Sequence, residues 1–397
     1  MRARPLATRR WHGWRTQRRE RAPRATPGAR LGGALTHAAV CLLALAVVAC
    51  ASATASRPPA PTRTPAPTAT PTPPPHNPAL VVRALRLATA DGQPATLVGV
   101  SHSSLEYACQ GDGHFAPPDF QAMRAWGMNV VRIPLWSRFW LNADGSCPTY
   151  QQTVQAAVRA AEGAHLYVIL VLQWSQALSK PAYTDSNGNA NYQYPMPDTG
   201  EAVRFWREVA GQYHDDPNVL FDIYGEPNAV SWGVWYSGGT VTMPAGSYQA
   251  IGMRALVDVV RGVAPNNVII VSGINWGYDL QEVDTAAYPF PESNLLFGTH
   301  PFNYSNKQPW DFSRAFGGAG SRFAAIGTEF GSYDCQTGYI ASVIAYFNQH
   351  HMSWLAWSWS ASGCGTPSLL SAFAGGTPSQ PYGAYIQQQM LALHATP

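Results

Sequence analysis

The chain has 397 residues, 46% of them hydrophobic, which is too long for one small domain and apolar enough for a sizeable core. Charged residues make up only 12%, about half the usual share, while Trp (14) and Tyr (18) are abundant. The net charge of +3 is misleading: ten of the 26 basic residues and one of the 23 acidic ones fall in the first 30, leaving 16 against 22. The remainder is mildly acidic and has no basic stripe interleaved with aromatics, so nucleic acid is not an expected partner.

Residues 1–50 read as an export segment. An Arg-rich stretch runs to Arg30 and is followed by the apolar run 38–50. Val47-Val48-Ala49-Cys50 resembles a bacterial lipobox, which would make Cys50 a lipidated new N-terminus. A plain signal peptide cut between Ala49 and Ala55, or an uncleaved anchor, are the alternatives. Thr8-Arg9-Arg10 weakly resembles a twin-arginine signal. Residues 51–77 form a Pro/Thr-rich linker, with nine prolines between Arg57 and Pro75. Such a run favours polyproline II and, at roughly 3.1 Å per residue, can hold a domain roughly 50–60 Å from its anchor. The expected location is outside the cell or on its surface, attached to membrane through the lipid. Residues 78–397 are then the folded domain, expected to be a monomer.

Within it, strand-like apolar runs occupy 97–102, 129–134, 166–174, 219–226, 267–275, 295–302, 323–329 and 353–359. Most are nearly continuous in apolar residues, as parallel strands buried on both faces require. Helix-like stretches fall between them, among them 153–163, 202–214, 248–263 and 339–351. Pro118-Asp119 and Asp198-Thr199 supply helix-entry signals. Eight β-α alternations over about 300 residues predict an α/β fold of the (β/α)8 TIM-barrel type. A doubly wound sheet is the runner-up, but no Gly-rich phosphate loop follows the first run.

In such barrels chemistry sits at the C-terminal strand ends. Here those ends collect His102, Arg132, Gln173-Trp174, Glu226, Asn275-Trp276, His300, Glu329 and Trp357. Glu226 closes the fourth run and Glu329 the seventh, and barrel closure can bring these distant residues together. Paired carboxyls about 5–5.5 Å apart, one protonated and one ionised, suit retaining glycoside hydrolysis. A lone Glu at a strand end is more often a cap or an ion-pair member.

The motifs Val131-Arg132-Ile133-Pro134, Tyr224-Gly225-Glu226-Pro227-Asn228, Ile326-Gly327-Thr328-Glu329-Phe330-Gly331 and Leu355-Ala356-Trp357-Ser358-Trp359 resemble glycoside hydrolase family 5, the clan of β-1,4-glucanases and β-mannanases. The resemblance covers the chain from Leu80 to Thr396. It implies an acid/base at Glu226, a nucleophile at Glu329, an Arg132 that hydrogen-bonds the nucleophile and keeps its pKa low, a His300 lining the site and a Trp357 flooring the subsite beside the cleaved bond. It also implies a β-linked polysaccharide or oligosaccharide as substrate and no cofactor. Three positions depart from the family pattern. Gln173 stands where a His is usual. Gly225 replaces the Asn that holds the sugar 2-OH, and Phe302 replaces a Tyr whose hydroxyl meets the nucleophile. Gln173, Asn228 and Asn275 are the candidates to compensate, and Tyr304 is a substitute hydroxyl. A site rebuilt as a unit predicts that an Asn at position 225 would clash.

Trp174, Trp232, Trp235, Trp276 and Trp357 are candidate stacking platforms for pyranose rings, with hydrophobic core as the plain alternative; Trp232 and Trp235 lie in a Gly/Ser-rich stretch that favours exposure. His102 touches substrate or caps a strand. Four cysteines remain beyond the export segment, and of three possible pairings Cys109–Cys147 and Cys335–Cys364 are favoured because each pair is close in sequence and on loops after neighbouring runs. No CxxC or HxxxH spacing points to a metal. A surface-tethered carbohydrate-binding pseudoenzyme, motivated by the three departures, is the alternative to an active hydrolase; a metal-dependent barrel hydrolase is a distant third.

Overall fold

The computed structural model describes residues 77–184 and 190–394. The expected export segment, its Cys50 and the linker up to His76 lie outside the described residues. Eight parallel strands close into one barrel: β1 (Val98–Ser101), β2 (Val130–Trp136), β3 (Tyr167–Trp174), β4 (Val219–Asp222), β5 (Ile269–Ser272), β6 (Leu295–Thr299), β7 (Ala325–Gly327) and β8 (Ser353–Trp357). Each pairs with the next, and β8 returns to β1 through Trp357 opposite Ser101. All eight expected runs are present; the ladders stop short of several predicted ends, freeing Glu226, Asn275, His300 and Glu329 to leave the barrel wall.

Alternation along the strands separates two apolar layers. Val130, Ile169, Leu220, Ile270, Leu296, Ile326 and Leu355 fill the interior, capped below by Leu80 and Leu87 of an N-terminal hairpin. Their neighbours Val131, Val168, Phe221, Ile269, Phe297 and Trp354 face outward and pack under the surrounding helices. Two residues further along several strands the inward series turns polar, with Arg132, Asp222, Ser272 and Thr328 all fully buried. That switch from an apolar plug to a polar layer makes one end of the barrel chemically active.

The helices include Pro117–Ala125, Tyr150–Gly163, Glu201–Gln212, Met253–Arg261, Gly338–Gln349 and Tyr382–His394. The Asp198 carboxylate accepts the Gly200 and Glu201 N–H groups at 2.9 and 2.7 Å, satisfying donors at a helix start. The expected helix 248–263 is corrected: Gly246–Ile251 is a strand paired with Gly238–Met243, and the helix begins only at Met253. A Cβ at Gly252 would meet the Tyr236 carbonyl at 2.2 Å, so a glycine occupies the junction between that strand and the helix. Cys109–Cys147 joins the loops after β1 and β2, and Cys335–Cys364 joins those after β7 and β8. Closing loops of 38 and 29 residues stabilises the fold by roughly 3–4 kcal/mol each and ties down the end bearing the polar layer. No helix among the described residues is long and apolar enough to cross a membrane.

Candidate active site

Arg132 is the hub. Its Nε donates to Asp222 Oδ2 at 2.9 Å, its Nη1 to Glu329 and, more weakly, to the Ser101 hydroxyl at 3.4 Å, and its Nη2 to Gln173 Oε1 at 3.3 Å. The guanidinium is fully buried, and the two carboxylates raise its pKa against the opposing effect of burial. Sequence reading foresaw its contact with Glu329 but not Asp222, the one carboxylate within the apolar β4 strand. The resemblance also implied a lowered pKa for Glu329. That is corrected: burial moves the carboxyl upward, and the opposing charge of Arg132 only limits the rise.

Glu226 has a partly open side chain, 19% exposed. It accepts a hydrogen bond from Gln173 Nε2 at 3.2 Å, and His300 Nδ1 lies 3.3 Å from its other oxygen. His300 Nε2 is 2.8 Å from the Thr328 hydroxyl. Burial pushes the imidazole down to about 4, so it is neutral at pH 7. Burial also pushes Glu226 up to about 7, moderated by the positive charges of Lys307 and Arg132. Glu226, His300 and Glu329 each bring one donor atom within 4.8 Å of the others. A cation gripping all three would have to compete with Arg132 for Glu329 and sit near Lys307.

Two of the three departures from the family pattern, Gly225 and Gln173, are connected in space. A Cβ on Gly225 would lie 2.2 Å from Gln173 Oε1 and 2.8 Å from Arg132 Nη2. Gly225 therefore has no side chain because the Gln173 amide fills that place, bridging Arg132 to Glu226. Phe302 is buried, and its ring stacks on Tyr333 at 5.6 Å. Tyr333 hydrogen-bonds Tyr304 through their side chains, and the field of both glutamates reaches it. Asn228 does not compensate, because its amide is turned back onto the Glu226 carbonyl at 3.0 Å. Gly225→Asn is therefore expected to lower kcat by about ten- to hundred-fold by displacing Gln173, roughly the loss of one or two charge-assisted hydrogen bonds. Steady-state kinetics on a β-glucan oligomer check this; a rise in kcat would mean the space is free.

Trp174, Trp276 and Trp357 are each partly exposed, Asn275 likewise, and Tyr304 is 36% exposed. Two aromatic expectations need correction. Trp235 is fully buried in the helix Trp232–Ser237, with its indole N–H donated to the Ser272 carbonyl at 3.0 Å. Trp232 leans on it edge-on at 5.0 Å and is itself partly exposed, so Trp235 is core while Trp232 keeps some open ring surface. The Ser231 hydroxyl capping Val234 N was the sequence signal for that helix. His102 also has no open face: it is fully buried and stacked on Phe115 at 4.0 Å. Sequence reading missed Lys307 beside Glu226, although it is one of only two lysines in the chain. It also gave no role to Glu106, a buried carboxyl pushed by burial to about 8 and therefore protonated at pH 7.

A parallel eight-stranded barrel with two glutamates meeting at its C-terminal end defines a clan of sugar-cleaving barrels. The family model described as Cellulase (glycosyl hydrolase family 5) matches residues 88–363, and the chain belongs to that family. It is 28% identical over 286 residues to Endoglucanase N of Pectobacterium atrosepticum, covering 69% of this chain and 55% of that protein. It is 27% identical to Endoglucanase 5 of Pectobacterium carotovorum over 69% of this chain and 48% of that protein. The chain thus spans about half the length of the curated relatives it matches. In fold it is similar to the β-glucanase SdGluc5_26A from Saccharophagus degradans, with TM-score 0.63 and 21% identity over 83% of this chain and 98% of that one. The catalytic domain of Thermobifida fusca endoglucanase Cel5A aligns with TM-score 0.59 and 19% identity over 79% and 97%.

Proposed function

We propose that this chain is a retaining β-glycoside hydrolase that cleaves a β-1,4-glucan or a related β-glycan such as mannan. The observation that carries the reading is the carboxyl pair. Glu226 and Glu329 present oxygens within 4.8 Å of each other in contrasting surroundings, a separation suited to a covalent intermediate. Glu226, with a pKa near 7, retains its proton for the leaving group. Glu329 lies against Arg132, which stabilises its ionised form.

In the first step the Glu226 proton passes to the glycosidic oxygen, the C–O bond breaks, and a Glu329 oxygen bonds to the anomeric carbon. In the second, ionised Glu226 takes a proton from water, whose oxygen displaces Glu329 at that carbon. Arg132 and Gln173 hold the two carboxyls in place through both steps. The partly exposed Trp174, Trp276 and Trp357 offer ring faces to the sugars. Relatives named endoglucanases, and a structural neighbour, the β-glucanase SdGluc5_26A, crystallised with cellotetraose, support a glucan substrate. A product screen on cellulose, mixed-linkage glucan, mannan and xylan tests this. Soluble oligosaccharides of retained anomeric configuration are expected from a glucan or mannan, and inversion or no turnover on any would refute it.

We also propose that the enzyme acts as an exported monomer held to the membrane through lipid on Cys50. Cys50→Ser should move the protein from the membrane fraction to the medium, and an unchanged distribution would leave only the uncleaved anchor.

A further inference from the structure

Lys307 is 4% exposed, in the loop after β6. Its Nζ donates to the Asn275 carbonyl at 2.9 Å and lies 4.9 Å from the Tyr278 ring centroid and 5.9 Å from that of Tyr304. Its own carbonyl accepts the Tyr339 hydroxyl at 2.8 Å, so the backbone is anchored from the other side. Among the described residues no carboxylate is in ion-pair contact with it. An ammonium buried this way is costly unless nearby negative charge offsets it. The two carboxylates whose fields reach it are Glu226 and Asp279, and Asp279 is already engaged by Arg314 at 2.7 Å.

The carbonyl that Lys307 grips belongs to an unusual turn. Asn275, Trp276 and Gly277 all have left-handed φ, near 58°, 61° and 66°. For Asn and especially Trp this conformation needs external support. The Trp276 N–H donates to the Pro227 carbonyl at 2.9 Å, and the Gly277 carbonyl accepts from His300 N at 3.0 Å. A Cβ at Gly277 would meet both the Gly225 carbonyl and the His300 ring at 2.9 Å. The turn is therefore wedged between the Gly225–Pro227 segment carrying Glu226 and the imidazole beside it, and Lys307 clamps its far side.

Resting on the hydrolase reading above, we propose that Lys307 is a positioning residue for the acid/base. It locks the Asn275–Gly277 turn against the Glu226 segment and keeps a positive charge near that carboxyl at neutral pH, burial having lowered its own pKa only to about 8. The charge stabilises the anion left when Glu226 gives up its proton, and so sets the pH above which the proton is lost. Among the described residues, the other titratable or charged groups facing Glu226 or the cations near it are Arg132 from β2, Asp222 and Tyr224 on or just past β4, Tyr278 and Asp279 after β5, His300 and Tyr304 after β6, and Glu329 and Tyr333 after β7. Lys307 is, with Arg132, one of the two cations whose charge holds the carboxyl down against burial. Arg132 is committed to Asp222 and Glu329.

The test compares Lys307→Gln, which keeps a donor but loses the charge, with Lys307→Met, which loses both, and Lys307→Arg. Removing a positive charge raises the carboxyl pKa, so the alkaline limb of kcat/KM should move upward by roughly half a unit to one unit in the Gln and Met variants and stay in place in Arg. Met alone should show an added fall in kcat of about ten-fold, from the loosened turn. The same shift should be seen without turnover, by NMR titration of protein 13C-labelled at glutamate carboxyls, with the Glu226 signal identified by its loss in Glu226→Gln. Gln and Met variants that keep the wild-type melting temperature but leave this titration unmoved overturn the proposal. Wild type without hydrolysis, but with the NMR shift present, would sink the hydrolase reading and leave the Lys307 assignment standing.

Discussion

Glu329→Ala should lower kcat/KM by on the order of 10⁴-fold or more, at least about 5.5 kcal/mol of transition-state stabilisation. In the proposed mechanism the side chain removed is the one that bonds to the anomeric carbon, and among the described residues no other carboxylate at the site is free to replace it. Asp222 lies deeper, held by Arg132 Nε at 2.9 Å, and Glu106 is held protonated at neutral pH by burial. The fold should survive, because Arg132 keeps Asp222 as its counter-ion when Glu329 is gone. Two further measurements make the assignment specific. A mechanism-based 2-fluoro sugar should label wild type at Glu329, located by peptide mapping. With an activated aryl β-glycoside, azide should partly restore turnover in Glu329→Ala and give a glycosyl azide of inverted configuration, since it occupies the cavity left on the nucleophile's side. Label on any other residue would overturn the nucleophile assignment.

The second large effect is expected at Arg132. Arg132→Met leaves Asp222 and Glu329 as two buried carboxylates without their shared cation. Breaking a buried pair this way costs roughly 3–5 kcal/mol. Melting temperature should drop by roughly 5–10 °C, and turnover by at least about a hundred-fold as Glu329 loses both its orientation and the charge favouring its ionised form. The sign with pH follows from the direction of the shifts. Burial already raises both carboxyl pKa values, and without the guanidinium they rise further. Each carboxyl can then relieve its buried charge by taking up a proton, so the stability gap between variant and wild type should narrow as pH falls. Calorimetry between mildly acidic and neutral pH reads this directly, and a gap that widens on acidification would mean the carboxylates are not the source. Arg132→Lys should recover only part of the loss. One ammonium cannot reach Asp222, Glu329 and Gln173 at once, as the planar fork does through Nε, Nη1 and Nη2.

The connected departures also weigh on the binding-only alternative. That reading was motivated by Gln173, Gly225 and Phe302 as separate losses. In the fold, Gly225 and Gln173 are two halves of one replacement, because the amide occupies the volume a residue-225 side chain would need. Phe302 packs on Tyr333, which brings a hydroxyl into the same region. No single position could have revealed this, since the compensating groups lie on different strands.

By itself the sequence determined the eight-fold alternation, the strand ends and the two glutamates. These are local signals: continuous apolar runs of strand length, and polar residues where each run stops. It misjudged 248–251 because apolar content alone does not separate a short hairpin strand from the helix that follows, and it misjudged Trp235 because a Gly/Ser-rich surround suggested exposure. Cys109–Cys147 and Cys335–Cys364 were legible because loop proximity follows strand order in a closed barrel. Only the tertiary structure decided which groups meet Glu226 and Glu329 and how their protons are held. Asp222 reaches Arg132 across 90 residues, Gln173 reaches Glu226 across 53, and Lys307 reaches the Asn275 turn across 32. Such contacts follow from barrel closure and not from any period in the chain. The pKa values follow from burial, which is a property of the closed interior and is written in no stretch of sequence.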